Sequence, residues 1–477
     1  MTKILTCSQM KSADNWTINT LKISSEELCL RAGNAIYEQI VQNFNKGSVL
    51  ICIGIGNNGA DGEVVYELLC KNSSFSVDKL YAKDFVIPDK AYDIIIDCIF
   101  GIGLNRNVEG NYKKCIDYIN NCNSIVVSCD IPSGLNGDNG LKMGTCVCAD
   151  YTYAIQHLKL GHYLNDGVDN CGIISVLDIG IVANESDYAE VVDYSIVNGL
   201  FEKRKRNVNK GNFGKACIIG GSMDFPGSVI LSCNALTALK MGVGYSNLCI
   251  PKSLLPVYAS INPECTITCL NDDNGRVVFD KQIIDKLLNY DCIAIGMGIG
   301  VSEEVYKIIS YLLKSYKGKL VIDADGLNTL SKYGVDVLRD ATCSIVLTPH
   351  VVEFSRLIGR EKGEILYNGV ALVKEFSKKY NVITILKNAT SIITDGNLLR
   401  INVTGCSGMA KGGSGDVLSG IICGLLARSI NNFDCVCASS YLFGLCGEVA
   451  QKNSNEYCMT ATDVVKEIPN VVNSFLN

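Results

Sequence analysis

Short apolar runs alternate with longer helical patterns along nearly the whole chain, and no other feature constrains the fold as much. The runs are rich in valine, isoleucine and cysteine and span residues 49–55, 92–98, 124–129, 216–220, 292–296, 319–323, 344–348 and 382–386. Since successive positions are apolar, both faces of each strand need to be covered, which is typical of buried parallel strands. The alternation therefore predicts an α/β fold with parallel sheets.

The chain is long enough for two domains. Its 477 residues, with 48% hydrophobic content, exceed what one ordinary core holds. A charged stretch at 201–210 separates the strand pattern 173–177 from a glycine-rich new start at 209–214. We predict one domain over residues 1–204 and a second over 205–477. The halves share no motif order, so they are expected to be different units rather than a duplication.

The composition excludes several classes of function. A net charge of −6 argues against a nucleic-acid partner, and the short basic run 203–206 is typical of a solvated connector. The 24 cysteines are scattered singly and only 3 histidines are present, which argues against a disulfide scaffold and a zinc site. The N-terminus lacks a signal-peptide layout, and the apolar run 417–427 is too short for a membrane span. We expect a cytoplasmic protein that binds small molecules and no membrane.

Polar loops follow three strands of the first half, in segments 54–62, 97–104 and 128–134. Because ligands of open α/β sheets bind outside the carboxyl ends of strands, these loops are expected to form one site. Oxygen ligands with one or two charges suit a monovalent cation or a hydroxylated substrate better than a transition metal. The first segment alone has another explanation, a tight turn with capping side chains. The residues placed at this edge are Asn58, Asp97, Asp130 and Ser133.

The three segments, in this order, resemble the NAD(P)H-hydrate epimerase family over about the first 200 residues. The resemblance implies a Rossmann-like doubly wound sheet, a potassium ion held by Asn58, Asp97 and Ser133, and proton transfer by Asp130. It also implies that the hydrate is bound by Asn57, Asn58, Gly59, Ala60, Asp61, Gly101, Ile102, Gly103, Leu104, Asn105, Arg106, Asn107 and Asp130.

Residues 402–418 are the most informative segment of the second half. Glycines at 405, 408, 412 and 413 precede Gly415 and Asp416, and an apolar helix pattern follows. Glycines at a helix N-terminus direct free N–H groups at a phosphate, and Asp416 in the first turn can face the group being phosphorylated. Capping by Ser414 and Asp416 is the ordinary alternative, but this many glycines exceeds what a cap requires.

Four further strand ends, 296–300, 323–328, 348–354 and 386–390, complete the pattern of a ribokinase-like nucleotide site. Together with 209–211 and 263–264 they resemble the NAD(P)H-hydrate dehydratase family. In that family ADP, or ATP in other members, phosphorylates the hydroxyl of the hydrate, and phosphate then leaves to restore the ring. The resemblance implies magnesium on the nucleotide and Asp416 as the base. The implied hydrate contacts are Gly300, His350, Val351, Val352, Glu353, Phe354, Ser355, Arg356 and Asp416, and the implied nucleotide contacts are Lys387, Asn388, Ala389, Thr390, Ser391 and Gly415.

Several positions depart from the family patterns. Ala60 stands where a second glycine is usual, Leu30 lies near a usual acidic residue, and Asn388 replaces the glycine after Lys387. Val351 and Val352 replace small or proline residues. Neither Asn388 nor the two valines removes a group with a chemical role, so activity remains the expectation, and the binding assignment of the first site stands despite Ala60 and Leu30.

The resemblances predict a bifunctional repair enzyme for hydrated NADH and NADPH. Its N-terminal half is expected to epimerise the R and S hydrates. Its C-terminal half is expected to dehydrate the S hydrate with ADP, giving AMP and phosphate. The alternative is a ribokinase-like small-molecule kinase with a non-catalytic nucleotide-binding N-terminal module, and the fused first half argues against it. We also expect a homo-oligomer.

Overall fold

The computed structural model describes residues 1–183, 187–237, 241–259, 261, 263–428 and 432–476. It contains two compact units, an N-terminal unit of residues 2–190 and a C-terminal unit that begins at residue 191. The predicted boundary at 204/205 lies further along the chain. Residues just after 190 already belong to the C-terminal unit, because Val192 and Ile196 are buried in its core. In addition, the N–H of Val192 donates a hydrogen bond to the carbonyl of Ile401 at 2.9 Å.

The N-terminal unit follows a strand–helix alternation. Its strands are β1 (Thr2–Leu5), β2 (Gly47–Ile53), β3 (Phe75–Tyr81), β4 (Ile94–Cys98), β5 (Ile125–Cys129), β6 (Tyr151–Ile155), β7 (Leu158–Lys159) and β8 (Ile173–Leu177), and β9 (Ala189–Val191) lies at the unit boundary. Its helices are α1 (Cys7–Leu21), α2 (Ser25–Asn43), α3 (Asn57–Cys70), α4 (Gly110–Asn121) and α5 (Gly167–Asn170).

The main sheet of this unit is parallel throughout, in the order β3-β2-β4-β5-β6-β8. Alternate residues of β2 serve two cores. Val49 and Ile51 pack with α2 and α3 on one face, whereas Leu50 and Cys52 pack with α4 on the other. This two-sided burial explains why the strand runs are apolar at successive positions. The unit is the doubly wound sheet that was predicted.

The C-terminal unit is larger. Its strands are β10 (Lys215–Ile219), β11 (Tyr245–Pro251), β12 (Thr266–Leu270), β13 (Asp272–Asp273), β14 (Arg276–Val277), β15 (Cys292–Ile295), β16 (Lys319–Ile322), β17 (Ser344–Leu347), β18 (Ile383–Leu386), β19 (Ser391–Thr394) and β20 (Leu399–Asn402). Its helices are α6 (Pro226–Thr237), α7 (Leu255–Tyr258), α8 (Lys281–Leu287), α9 (Glu303–Ser315), α10 (Asp325–Tyr333), α11 (Val351–Ile358), α12 (Lys362–Tyr380), α13 (Ser414–Arg428), α14 (Asn432–Asn453) and α15 (Ala461–Asn473).

The sheet of this unit runs in the order β12-β11-β10-β15-β16-β17-β18-β19-β20. Pairing is parallel as far as β18 and antiparallel from β18 to β20. Helix α13 lies in the centre of the core, where Val417, Ile421 and Leu425 are buried with residues of α14 and α15. This position explains why α13 is apolar nearly all round. The predicted α/β class is confirmed, and each predicted strand run coincides with an observed strand to within a few residues.

Helix α14 is the one described helix that is long and apolar enough to cross a membrane by length and composition. Two thirds of it (67% of the apolar window) is buried inside the protein, as is usual for a core helix. Its apolar character is therefore explained by its position between α13 and α15.

Candidate active sites

The first site lies at the carboxyl ends of β2, β4 and β5, where the loops after these strands meet. The backbone N–H of Gly54 donates to the carbonyl of Cys98 at 3.0 Å. A Cβ atom at Gly54 would lie 1.9 Å from the carbonyl oxygen of Ile99, and one at Gly59 would lie 2.0 Å from that of Gly54. Both glycines are therefore required by close backbone contacts.

Ala60 fits the loop despite departing from the family pattern. It is exposed in the first turn of α3, and its N–H donates to the carbonyl of Gly56 at 3.1 Å. It lies outside the left-handed region of backbone conformation. Alanine is therefore compatible with a helical first turn at this position.

Asp97 is fully buried, and each of its oxygens accepts two hydrogen bonds. Oδ1 accepts from Ser133 Oγ at 2.6 Å and from the N–H of Ile99 at 3.2 Å. Oδ2 accepts from Ser128 Oγ at 2.9 Å and from the N–H of Ser133 at 2.8 Å. Burial raises the pKa of Asp97, although the four hydrogen bonds oppose this shift. The network joins the end of β4 to the loop after β5.

Asn58 brings an unpaired polar atom into the same cluster. Its Nδ2 donates to the carbonyl of Cys129 at 3.2 Å, but its Oδ1 is buried with no hydrogen-bond partner. A buried acceptor without a partner costs about 1–3 kcal/mol. A cation or a ligand hydroxyl at Oδ1 would remove that cost, so Asn58 points to a binding position.

Asp130 begins the loop after β5 in an unusual backbone conformation, with φ +65. Its carboxylate pairs with the ammonium group of Lys159, and its Oδ1 also accepts from the N–H of Ile155 at 3.3 Å. Its carbonyl lies 2.8 Å from Nε2 of His162. A Cβ at Gly101 would lie 3.2 Å from Asp130 Oδ2, so the loop 101–107 begins directly beside this carboxylate.

Two further carboxylates lie within electrostatic range of Asp130. Burial, opposed by a hydrogen bond with Cys29 and assisted by Asp130, raises the pKa of Asp61 to about 7. Burial and Asp130 raise the pKa of Asp14 to about 6. Asp61 was predicted to belong to the site, whereas Asp14, Lys159 and His162 were missed. A lysine between two leucines in an apolar stretch was the available signal for Lys159.

The remaining predicted residues of the first site vary in exposure. Asn57 is exposed at the start of α3. In the loop after β4, Ile102 and Leu104 are half-buried, while Gly103, Asn105, Arg106 and Asn107 are exposed. The side chains of this loop therefore border the carboxylate cluster without forming part of its buried network.

The second site is built around the N-terminus of α13. Gly413 has φ +91, and Gly412 has open space where a Cβ would be. Asp416 lies in the first turn of the helix. Burial and the neighbouring Asp323 raise the pKa of Asp416 to about 7, opposed by a hydrogen bond with Ser228 and by Lys387. A carboxylate that titrates near neutral pH is suited to accept a proton.

An ion pair between the buried Asp323 and the partly buried Lys387 lies beside Asp416. Lys387 Nζ is 2.9 Å from Asp323 Oδ1, and Ser419 Oγ donates to Asp323 Oδ2 at 2.5 Å. Burial lowers the pKa of Lys387, but Asp323 and Glu353 outweigh it and raise that pKa overall. A Cβ at Gly415 would lie 3.3 Å from Lys387 Nζ, so the ammonium group faces the glycine turn of α13. Asp323 belongs to the predicted strand end 323–328, although the sequence assigned it no individual role, and Ser419 was not predicted.

Gly300 and the start of α10 meet in the same region. The N–H of Gly300 donates to Asp325 Oδ2 at 2.9 Å, and Gly300 has φ +82. Ala324, between Asp323 and Asp325, has φ +48, a strained conformation for alanine. Burial raises the pKa of Asp325. On either side of this strained residue, Asp323 pairs with Lys387, whereas Asp325 accepts a hydrogen bond from Gly300.

His350 and Glu353 form the N-terminal cap of α11. The N–H of His350 donates to Glu353 Oε2 at 2.9 Å, and that of Val352 donates to His350 Nδ1 at 3.1 Å. Burial and Lys387 lower the pKa of His350, while burial raises that of Glu353. Val351 is buried in the core. The two valines at 351 and 352 therefore fit an ordinary helix start.

The side chains of three other predicted residues of this site have partners outside its group of charged residues. Phe354 is fully buried, with its ring centroid 5.5 Å from that of Phe376, so its side chain belongs to the core. Ser355 Oγ donates to the carbonyl of Arg360 at 2.5 Å. Arg356 donates to Asn328 Oδ1 at 3.1 Å.

The segment 387–391, which was predicted to contact the nucleotide, is a turn between β18 and β19. Asn388 and Ala389 are exposed and Thr390 is buried, while Ser391 begins β19. Asn388 lies outside the left-handed region, so the family's glycine is not required there for backbone reasons.

Family models match both parts of the chain. The model described as NAD(P)H-hydrate dehydratase matches residues 216–470, and the model described as YjeF-related protein N-terminus matches residues 71–161. The dehydratase model covers the site around Asp416, and the YjeF-related model covers much of the site around Asp130.

Curated relatives match over nearly the whole length. A bifunctional NAD(P)H-hydrate repair enzyme of Dictyoglomus turgidum is 30% identical, with 98% of each chain covered. The enzyme of the same name from Archaeoglobus fulgidus is 30% identical, with 92% of each chain covered.

Solved structures resemble the C-terminal part in fold. An ADP/ATP-dependent NAD(P)H-hydrate dehydratase of Bacillus subtilis, co-crystallised with ATP and Mg²⁺, has a TM-score of 0.52 and 23% identity, covering 60% of this chain and 99% of its own. A ribokinase-like superfamily protein of Enterococcus faecalis has a TM-score of 0.53 and 22% identity, covering 60% and 96%. The predicted ribokinase-like fold is confirmed. With two family models in series and relatives of the same two-part length, the chain belongs to the family of bifunctional NAD(P)H-hydrate repair enzymes.

Proposed function

We propose that the N-terminal unit epimerises the hydrates of NADH and NADPH and that the C-terminal unit dehydrates the S epimer. The observation that supports this division is that each unit has its own partly buried aspartate beside a lysine whose side chain is little exposed, 1% at Lys159 and 20% at Lys387. Asp130 lies beside Lys159 in one unit, and Asp416 lies beside the Asp323–Lys387 pair in the other. Two such sites fit two consecutive reactions on one substrate.

In the dehydratase, Asp416 accepts the proton of the hydrate's hydroxyl group. The hydroxyl oxygen then bonds to the terminal phosphorus of ADP, and AMP leaves with the electrons of the broken P–O bond. The turn that ends at Gly415 presents backbone N–H groups toward a phosphate, and Lys387 adds a positive charge. Loss of phosphate and of a ring proton restores the double bond of the nicotinamide.

Magnesium supplies charge neutralisation of the phosphates when it is bound with the nucleotide. Among the described residues, no group of three or more His, Cys, Asp or Glu side chains is placed to hold a metal ion. Magnesium usually binds through one or two carboxylates together with substrate phosphates. Since the described carboxylates of this site are not arranged as a metal-binding group, the site suits an ion held largely by the nucleotide.

In the epimerase, we assign potassium to Asn58, Asp97 and Ser133. The unpaired Oδ1 of Asn58 supports this assignment, since a weakly hydrated cation would satisfy it. The hydrogen bonds of Asp97 fix the geometry of the loop around it. The loop 101–107 and the segment 57–61 would contact the hydrate, next to Asp130.

We also propose a cytoplasmic location, which the free thiols at all 24 cysteine positions support because such thiols persist in reducing compartments. The homo-oligomer stays a prediction.

The overall function is tested by following NADH absorbance in a mixed-epimer hydrate preparation with magnesium and ADP, ATP or no nucleotide. We expect complete recovery of NADH with ADP and none without nucleotide. If recovery of NADH stopped once the S epimer of the starting mixture was consumed, this would contradict an active epimerase. A stable phosphorylated product without NADH would instead favour the kinase alternative.

Potassium dependence is a separate expectation for the first site. Replacing potassium by lithium should lower the epimerisation rate severalfold, and Asn58→Ala should remove both most of the rate and its response to potassium, because the unpaired oxygen is lost. The thermal unfolding curve of the variant is the control for folding, and the dehydration rate of the purified S epimer at fixed potassium is the control for the C-terminal unit. An unchanged potassium response in Asn58→Ala would contradict the assignment.

A further inference from the structure

Lys159 is a completely buried lysine that the fold by itself does not explain. It ends the two-residue strand β7, and its side chain is 1% exposed. Its Nζ donates to the carboxylate of Asp130 and to the carbonyl of Ile155 at 2.9 Å. Burying an ammonium group is costly unless it is paired, and an apolar residue of similar volume would usually stabilise a core at least as well.

The segment that carries Lys159 also holds the backbone of Asp130. The N–H of Asp130 donates to the carbonyl of Tyr153 at 2.8 Å, and His162 Nε2 lies 2.8 Å from the Asp130 carbonyl. His162 Nδ1 accepts the N–H of Lys159 at 3.1 Å, so Nε2 is the protonated nitrogen and donates. The left-handed conformation of Asp130 is thus fixed at both of its peptide groups by residues 153–162.

The charged groups around Asp130 come from several elements. Asp14 on α1 and Asp61 on α3 are acidic, and Cys7 lies at the start of α1. His162 is neutral at physiological pH, because burial and Lys159 lower its pKa to about 4. Lys159 is therefore the positive charge that this group of described residues presents to Asp130.

We infer that Lys159 is a positioning residue of the epimerase, which keeps the Asp130 carboxylate ionised and aimed at the substrate. The inference rests on the proposed role of Asp130 as the proton-transfer group. An ammonium group in contact with a carboxylate favours its charged form, and three neighbouring carboxylates would otherwise favour protonation of one another. A base that is ionised in a fixed rotamer is ready to accept a proton.

The test compares Lys159→Met, which keeps length and volume, with Lys159→Arg, which keeps the charge. The epimerisation rate of each is measured from pH 5 to pH 9.5. We expect Lys159→Met to lose at least about 100-fold in kcat at pH 7, with little change in KM. In Lys159→Met the fall of kcat toward acidic pH should begin at a higher pH than in the unmodified protein, so that part of the loss is recovered by pH 9. In Lys159→Arg the fall of kcat toward acidic pH should begin at the same pH as in the unmodified protein.

The thermal unfolding curve of each variant measures folding independently, and dehydration of the purified S epimer by the same samples shows that the C-terminal unit is intact. If Lys159→Met does not fold, Lys159→Gln serves as the second neutral variant. The inference would be overturned if the neutral variant lost the same fraction of epimerase activity at every pH and Lys159→Arg were no more active than the neutral variant. Lys159 would then have only a structural role. The proposed role of Asp130 is tested apart by Asp130→Asn: if that variant is inactive and Lys159→Met shows no shift, the inference alone fails.

Discussion

Asp416→Asn is expected to lower the dehydration rate of the S epimer by about 1000-fold or more, with unchanged epimerisation. Asparagine keeps the shape of the side chain and the hydrogen-bonding possibility with Ser228, but it cannot accept the hydroxyl proton. The substitution does not alter the turn at Gly412 and Gly413, which we propose binds the phosphate, so the KM for ADP should change little. The measurement is nucleotide-dependent recovery of NADH absorbance from pure S hydrate.

The pH profile of the unmodified protein provides a second readout of the same residue. The pKa of Asp416 is raised to about 7, so the residue is protonated below that value and ionised above it. Because the base must be ionised, the dehydration rate should fall by about tenfold per pH unit below pH 7 and level off above it. A flat profile between pH 5 and pH 7 would contradict the role of Asp416 as the base.

Glu303→Gln is the matched control for this substitution. Glu303 also lies in the first turn of a helix, α9, but its side chain is 69% exposed and pairs with Lys307 at 3.5 Å. Its neutralisation should change the dehydration rate less than twofold. If Glu303→Gln and Asp416→Asn were equally impaired, a general effect of helix charge would replace the catalytic explanation.

Asp130→Asn is expected to lower epimerisation by at least about 100-fold, while dehydration of the S epimer continues. Asparagine tolerates the left-handed backbone conformation found at this position. The loss would therefore come from the charge and not from the fold of the turn. The assay is the rate at which pure R hydrate becomes a substrate for the dehydratase.

This substitution leaves Lys159 buried without its partner, and breaking such a pair costs about 3–5 kcal/mol of stability. The double variant Asp130→Asn/Lys159→Met removes both charges and serves as the stability control. We expect it to recover most of the unfolding temperature but none of the epimerase activity. Epimerase activity in the double variant would contradict the role of Asp130 in proton transfer. Loss of both activities in Asp130→Asn or in Asp416→Asn would contradict two independent sites.

Much of the first site was accessible from the sequence, because its motifs are local. Segments 54–62, 97–104 and 128–134 each follow a strand, and parallel strands bring their carboxyl ends to one edge. The same reasoning placed Asp416 at the start of α13. The role of the glycines also follows locally, since Gly54 and Gly59 are adjacent to the turn that requires them.

The partners of these residues were not accessible in the same way. Lys159 follows Asp130 by 29 positions, and Ser419 follows Asp323 by 96. No periodicity connects such distant positions, and the intervening loops carry no signal for the pairing. Phe354 is the opposite case: it stands in a functional motif, yet its ring lies in the core against Phe376.

The sequence by itself determined the α/β class, the two-part organisation and the strand ends at which we propose that the chemistry lies. Hydrophobic periodicity and glycine turns act over a few residues and can be read along the chain. Only the tertiary structure decided the ion pair of Asp130, the unpaired oxygen of Asn58, the raised pKa values of Asp61 and Asp416, and the unit boundary at 190/191. Protonation and pairing depend on burial and on charges from distant segments, and these distances exist only once the chain has folded.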